Sequence, residues 1–199
     1  MKQITIFAFV YLILFTGCSG AGVQIATLKE FSGTVEFSRG GAQSFEAAQK
    51  EQPLFTGDEI RVRADSSATI LFATGSAIHL KDNAFFEVRD DSCLGRQNSG
   101  TAYYDVNKHE SEIVIETPHG TTAILGTQFC QLITEDTFDL WVKEGKVKFT
   151  RNGQSRLVEA NYRLHHSSDK PLAEAETMTL PEQIKIFKTG KSGFEFNRR

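Results

Sequence analysis

Between Val23 and about Leu164 the hydrophobic positions recur every second residue. Thr34–Ser38, Glu59–Arg63, Ala68–Phe72, Ser76–Lys81, Glu112–Glu116, Asp139–Lys143 and Lys146–Thr150 all alternate apolar with polar side chains. A period of two puts β-branched and aromatic residues on one face and charges on the other, the signature of half-buried strands. Between these runs stand Gly40-Gly41, Thr56-Gly57-Asp58, Thr74-Gly75-Ser76, Glu144-Gly145-Lys146 and Arg151-Asn152-Gly153. Gly and Asn enter the left-handed backbone region cheaply, so these are turns. Short strands separated by regular turn signals predict an all-β fold, either a sandwich or a solenoid, over residues 33–166, with 18–32 as a tether and first strand.

The pattern changes beyond His166. Residues 167–178 are polar, contain Pro171, and read as a linker. Thr179-Leu180-Pro181-Glu182 has the form of a helix start. Leu180, Ile184 and Phe187 then make one apolar stripe, with Gly190 as a stop. Residues 179–199 are therefore expected to hold one short amphipathic α-helix, docked on the β domain, and a tail. A partner-binding helix is the other reading of the same stripe.

The N-terminus has a third character. One lysine precedes an uncharged run from Ile4 to Phe15, too short to span a bilayer and of signal-peptide length. The run ends in Thr16-Gly17-Cys18. Small residues before a cysteine resemble the lipobox of bacterial lipoproteins. That resemblance implies a signal peptide over residues 1–17 and lipid attachment at Cys18. Two acyl chains are enough to hold a domain at a membrane. Ser19 after the cysteine favours the outer membrane. An ordinary secretory signal that contains a cysteine is the other reading, and it too takes the chain out of the cytoplasm.

Composition narrows the function classes. With 25 acidic and 22 basic residues the net charge is −3, and no basic run occurs, so the chain lacks the electrostatic footprint of a nucleic-acid binder. At 40% hydrophobic and 24% charged it is an ordinary globular composition, not a disordered one.

Three longer motifs stand apart from simple alternation. The first is Leu54-Phe55-Thr56-Gly57-Asp58-Glu59-Ile60-Arg61, continuing to Gly75-Ser76-Ala77-Ile78-His79-Leu80. The second is Thr117-Pro118-His119-Gly120, followed by Gly126-Thr127-Gln128-Phe129. The third is Leu140-Trp141-Val142-Lys143-Glu144-Gly145-Lys146-Val147. Their order and spacing resemble the FecR domain, the periplasmic sensor module of iron-citrate-type signal transducers, from about Gly33 to Leu164. The structural expectations are plain. Gly57 and Asp58 form a turn in which Asp bonds nearby backbone. Ile60 and Arg61 open a strand. Gly75 turns the chain. Thr117 and Pro118 end a strand or sit at an edge, and Gly120 follows. Gly126 marks a bulge or close approach before Thr127 and Phe129, and Gly145 is a hairpin turn. Asn161 stands where the family usually has Gly, and should keep the left-handed turn. The FecR protein itself places a helical anti-sigma domain and a membrane helix before this module. Here a signal and a lipid site take their place, so the anti-sigma role does not transfer.

No catalytic pattern emerges. Of His79, His109, His119, His165 and His166, none makes a metal-binding pair with a carboxylate, and the adjacent His165 and His166 point to opposite faces of a strand. His119 is expected to be a solvated loop residue. Asp90-Asp91 reads as a solvated hairpin tip. No cofactor or metal is implied. Cys93, read as lying in the loop Asp90–Gly100, and Cys130, read as facing outward, either form a disulfide or stay too far apart to pair. Together these readings describe a non-catalytic cell-envelope lipoprotein, held at the membrane by its lipid and binding an envelope protein in signalling or assembly. A carbohydrate- or peptidoglycan-binding or structural surface protein is the alternative. It would require exposed rings from among Trp141, Tyr103, Tyr104 and Tyr162.

Overall fold

The computed structural model describes residues 23–90, 92–179 and 186. The expected signal peptide, Cys18 and nearly all of the expected C-terminal helix lie outside the described residues.

Sixteen strands account for the fold of the described residues. In chain order they are β1 (Ala26–Ser32), β2 (Val35–Ser38), β3 (Glu46–Ala47), β4 (Gln52–Leu54), β5 (Glu59–Val62), β6 (Ser67–Phe72), β7 (Ala77–Val88) and β8 (Cys93–Asp105). There follow β9 (Ile113–Thr117), β10 (Gly120–Ile124), β11 (Gln128–Ile133), β12 (Thr137–Glu144), β13 (Lys146–Arg151), β14 (Gln154–Glu159), β15 (Tyr162–Ser167) and β16 (Glu176–Thr177). The alternating runs all became strands, because each has an apolar face to bury.

All sixteen strands are hydrogen-bonded into one network, which folds back on itself as two layers. The first sheet runs β4-β1-β6-β7-β8-β11-β12-β15-β16, and the second β3-β2-β5-β7-β8-β9-β10-β13-β14. Only the long strands β7 and β8 belong to both. The first half of β7 pairs with β6, and Phe85–Glu87 pairs with β5. Likewise Gly100–Asp105 of β8 pairs with β11, while Cys93–Arg96 pairs with β9 in the one parallel contact among the described strands.

The hairpin bends where the register slips between Lys81 and Phe85. Asp82 and Asn83 adopt φ of 39° and 61° there, and Gly100 φ of 78°. A Cβ on Gly100 would run into the backbone of Ala84, so only glycine fits the crossing. The all-β reading is therefore correct.

The core lies between the layers. Phe138 of the first sheet stacks on Phe149 of the second at 4.2 Å, and Tyr104 stacks on Phe129 at 4.6 Å. All four rings are fully buried. Cys93 begins β8 and is not in a loop. Its strand was hidden in the sequence because Gly95 sits beneath the Phe86 ring, where a side chain would collide. In the 167–178 stretch, Leu172 and Met178 are buried and β16 adds to the edge of the first sheet.

Candidate functional site

The motif residues are consumed by turns and core. Asp58 has no exposed surface. Its carboxylate accepts hydrogen bonds from the amides of Gly40 (3.0 Å) and Phe55 (2.9 Å) and from Arg39 Nη1 (2.6 Å). It thus ties its own turn to the β2–β3 loop, while Gly57, at φ 86°, lets the chain reverse. Ile60 is in the core. Arg61 lays its guanidinium over the Phe45 ring at 3.8 Å and lies 3.9 Å from Glu36. Thr117 Oγ1 accepts from the amides of His119 and Gly120 and donates to Gly120 O, closing the β9–β10 turn with Pro118 exposed at its tip. A Cβ on Gly120 would strike Thr150 O, the backbone of β13 beside it.

The second and third motifs meet in space. A Cβ on Gly126 would lie 2.7 Å from Lys108 Cα. One on Gly145 would lie 3.0 Å from Gly126 O and from Thr127 Oγ1. Thr127 Oγ1 donates to Lys146 O, and Val106 and Thr127 exchange backbone bonds. Gly75 closes the same end of the first sheet, beside Asn107, whose Nδ2 donates to Thr74 O. Gly126 is a close approach and not a bulge within a strand. Phe129 fills the core. Asn161 takes the expected left-handed conformation at φ 69°.

Polar groups buried between the sheets were not visible in the sequence as such. Tyr104 Oη donates to Gln97 Oε1 (2.8 Å), Gln131 Nε2 donates to the same oxygen (3.2 Å), and Thr122 Oγ1 donates to Gln131 Oε1 (2.6 Å). Gln97 Nε2 in turn donates to Gly100 O (2.8 Å) at the bend of β8. The one available signal was parity, since Gln97 and Gln131 occupy inward positions of their strands.

His119 is also not solvated. It is 3% exposed, and its Nε2 donates to Thr134 O at 2.9 Å. The His166 ring lies edge-on to it at 6.3 Å. Burial, with Arg151 and His119 nearby, holds the His166 pKa below the usual histidine range. His165 points the other way, to Asp139 Oδ1 at 2.7 Å. A polar depression outside the β9–β10 turn is lined by Arg96, Glu116, His119 and Arg151. Its charges already engage one another, since Arg96 meets Glu116 at 3.0 Å and Arg151 Nη1 donates to His119 O. Asp90 caps the β7–β8 tip, accepting from Ser92 Oγ and from the amides of Ser92 and Cys93, which lowers its pKa. Asp91 lies outside the described residues. Among the described residues no group of three or more His, Cys, Asp or Glu could hold a metal.

Of the two alternatives for Cys93 and Cys130 the structure takes the unpaired one, and both thiols are free. Cys130 pairs with Tyr103 in the first-sheet half of β8, whereas Cys93 starts the half that runs in the second sheet. At ~3.3 Å per strand residue the two Cα atoms lie well beyond the ~7 Å that a bridge spans. Nor is Cys130 exposed; it is 1% accessible.

The two outer faces of the sandwich differ. That of the second sheet is a lattice of charges, with Arg63 on Glu36 (2.6 Å), Arg96 on Glu116 and Lys148 on Glu112 (3.1 Å). Across the first sheet a continuous row of directly paired positions reads His79, Tyr103, Cys130, Trp141, Arg163, Glu176. Their chain neighbours Ile78, Tyr104, Phe129, Leu140 and Leu164 point into the core. Of the rings named for sugar contact, Tyr104 is thus buried, and Tyr103 and Trp141 are half-buried on this face.

Comparison with known proteins matches this arrangement. Two crystal structures of a candidate anti-sigma factor from Parabacteroides distasonis, at 2.50 and 1.65 Å resolution, each superpose with a TM-score of 0.57 at 15% identity. The match covers 64% of this chain and 62% of that one, and at this identity it speaks to the fold alone. No curated protein matches the chain. The family model described as FecR protein matches residues 58–148, from the buried Asp58 through the β12–β13 turn. Over residues 58–148 this chain is similar to the FecR domain.

Proposed function

We propose that this chain is a lipid-anchored cell-envelope module that binds a protein partner in signalling or assembly, without catalysing a reaction. The observation that carries the reading is that the FecR motif residues are spent on turns and core. A domain whose distinctive residues build a scaffold acts through its surface. The lipobox-like Thr16-Gly17-Cys18 supplies the anchor, with Ser19 favouring the outer membrane. Among the described residues no helix is long and apolar enough to cross a membrane. The similarity of fold to an anti-sigma factor supports a place in signalling.

Photocrosslinking in intact cells, from probes placed on the two outer faces, tests this reading. A discrete protein adduct that disappears when Cys18→Ser releases the chain from the membrane is expected. No adduct from any face under several growth conditions contradicts it. A carbohydrate-binding reading is favoured by one observation only, the placement of Tyr103 and Trp141 on the same outer face. Trp141 is the only tryptophan, so its fluorescence reports directly. Quenching by iodide that peptidoglycan fragments relieve supports a sugar platform, and quenching unaffected by them removes it.

A further inference from the structure

Each sheet ends in two terminal strands, and three of these four are blunt. β3, β4 and β16 are only two or three residues long. Native proteins shorten or charge such edges, because a row of unpaired backbone groups templates another strand. β14 is the exception. It runs from Gln154 to Glu159 without proline, lysine or bulge. The turn before it fixes which way its backbone faces. Asn152 and Gly153 have φ of 48° and 75°, a two-residue hairpin turn that makes Arg151 and Gln154 a hydrogen-bonded pair. Bonding alternates from there, so Gln154, Arg156 and Val158 bond to β13. The N–H and C=O groups of Ser155, Leu157 and Glu159 point outward. Among the described residues no backbone group meets them, and of these groups Ser155 O is engaged by Arg156 Nη1 at 3.0 Å.

The surroundings leave room for a further strand. A cleft of about 490 Å³ lies along the edge, between Leu157 and the side chains of Tyr162 and Ala175. Leu157, at the centre of the edge, is 54% exposed, and it shares a second groove with Leu125, itself 50% exposed. The charges are already balanced. Lys146 holds Glu159 at 2.7 Å, and Glu174 holds Arg156 at 2.9 Å.

The edge also matches itself. Set antiparallel against a second copy with Leu157 on the axis, Ser155 falls opposite Glu159, Arg156 opposite Val158 and Leu157 opposite Leu157. The outward groups then coincide and satisfy one another with about six backbone hydrogen bonds. Ser155 Oγ and Thr150 Oγ1 share one hydrogen bond at 2.9 Å, which leaves a second hydroxyl proton for the Glu159 carboxylate of the copy. The adjacent registers are worse. One sets Arg156 against Arg156, and the other sets Glu159 against Leu157.

We propose that two copies of this chain pair antiparallel through β14, about a two-fold axis at Leu157, and join their second sheets into one. A two-fold contact of this kind closes as a dimer and consumes the long terminal edge. It stands whether or not the module also binds another protein.

Single cysteines read the register. Leu157→Cys brings two thiols together on strands whose paired Cα atoms lie ~5.5 Å apart, inside disulfide range. Ser155→Cys leaves its two copies ~13 Å apart along the strands, out of reach. With the full-length protein in its own membranes under mild copper-phenanthroline oxidation, Leu157→Cys should form a covalent dimer of this chain at least tenfold faster than Ser155→Cys. The unsubstituted chain is the blank. Equal rates, or a Leu157→Cys adduct with a different protein only, overturn the proposal. In detergent solution the full chain should sediment as a dimer, and Leu157→Pro, which removes only an outward N–H, as a monomer. A monomeric unsubstituted chain or a dimeric Leu157→Pro overturns the proposal. Should Leu157→Pro fail to fold, the cysteine rates decide.

Discussion

Asp58 shows how a single residue can carry a motif. Its carboxylate is buried and accepts from two backbone amides and one guanidinium. Asp58→Ala leaves those amides without an acceptor, at a cost of about 2–3 kcal/mol. Arg39→Ala removes a half-exposed guanidinium that also lies over the Phe37 and Phe55 rings but leaves both amides on the carboxylate, so it should cost less than Asp58→Ala. Urea denaturation of the two variants distinguishes the roles. His79 makes a second residue-scale prediction. It is covered on β7 between Thr69 and Tyr103, and burial lowers its pKa from 6.5 to about 4. The unfolded chain therefore binds a proton between those values that the folded chain refuses, so stability falls as pH drops from about 6.5 to about 4. His166, also lowered, acts in the same direction. His79→Gln should flatten, without abolishing, the loss of denaturation midpoint over that window; an unchanged slope contradicts the assignment. The turn role of Asp58 was legible because Gly-Asp between two apolar runs has a local meaning. The burial of His119 was not, because it depends on Thr134 and His166, which are distant in sequence.

At the scale of elements, the alternating runs were legible and β8 was not. Periodicity reports a strand only where one face is apolar throughout. In β8, Gly95 yields its space to Phe86, Gln97 is buried in a hydrogen-bonded network, and Gly100 turns the strand from one sheet into the other. Those departures are what allow two strands to serve both layers. Gly100→Ala should therefore destabilise far more than Gly153→Ala. Both glycines have positive φ, which costs roughly 1 kcal/mol for alanine. A Cβ at Gly153 meets open space, whereas at Gly100 it meets the Ala84 backbone and adds at least 1–2 kcal/mol of strain. Equal denaturation midpoints for the two variants contradict the bend.

At the scale of the molecule, the all-β class was legible, but the two unlike outer faces were beyond the sequence. Pairing partners such as Cys130 with Tyr103 and Trp141 are set by register, which alternation leaves open. The same register separates the cysteines, so the denatured protein should titrate with Cys93 and Cys130 both free in the absence of reductant; a blocked pair contradicts the fold. The envelope function rests on what stands before the sandwich. The proposed partner at a membrane depends on lipid attachment at Cys18. Mass spectrometry of the N-terminal peptide from the protein isolated from its own membranes tests this most directly. The account predicts a chain that begins at Cys18 and carries acyl chains; an unacylated N-terminus at any other residue contradicts it.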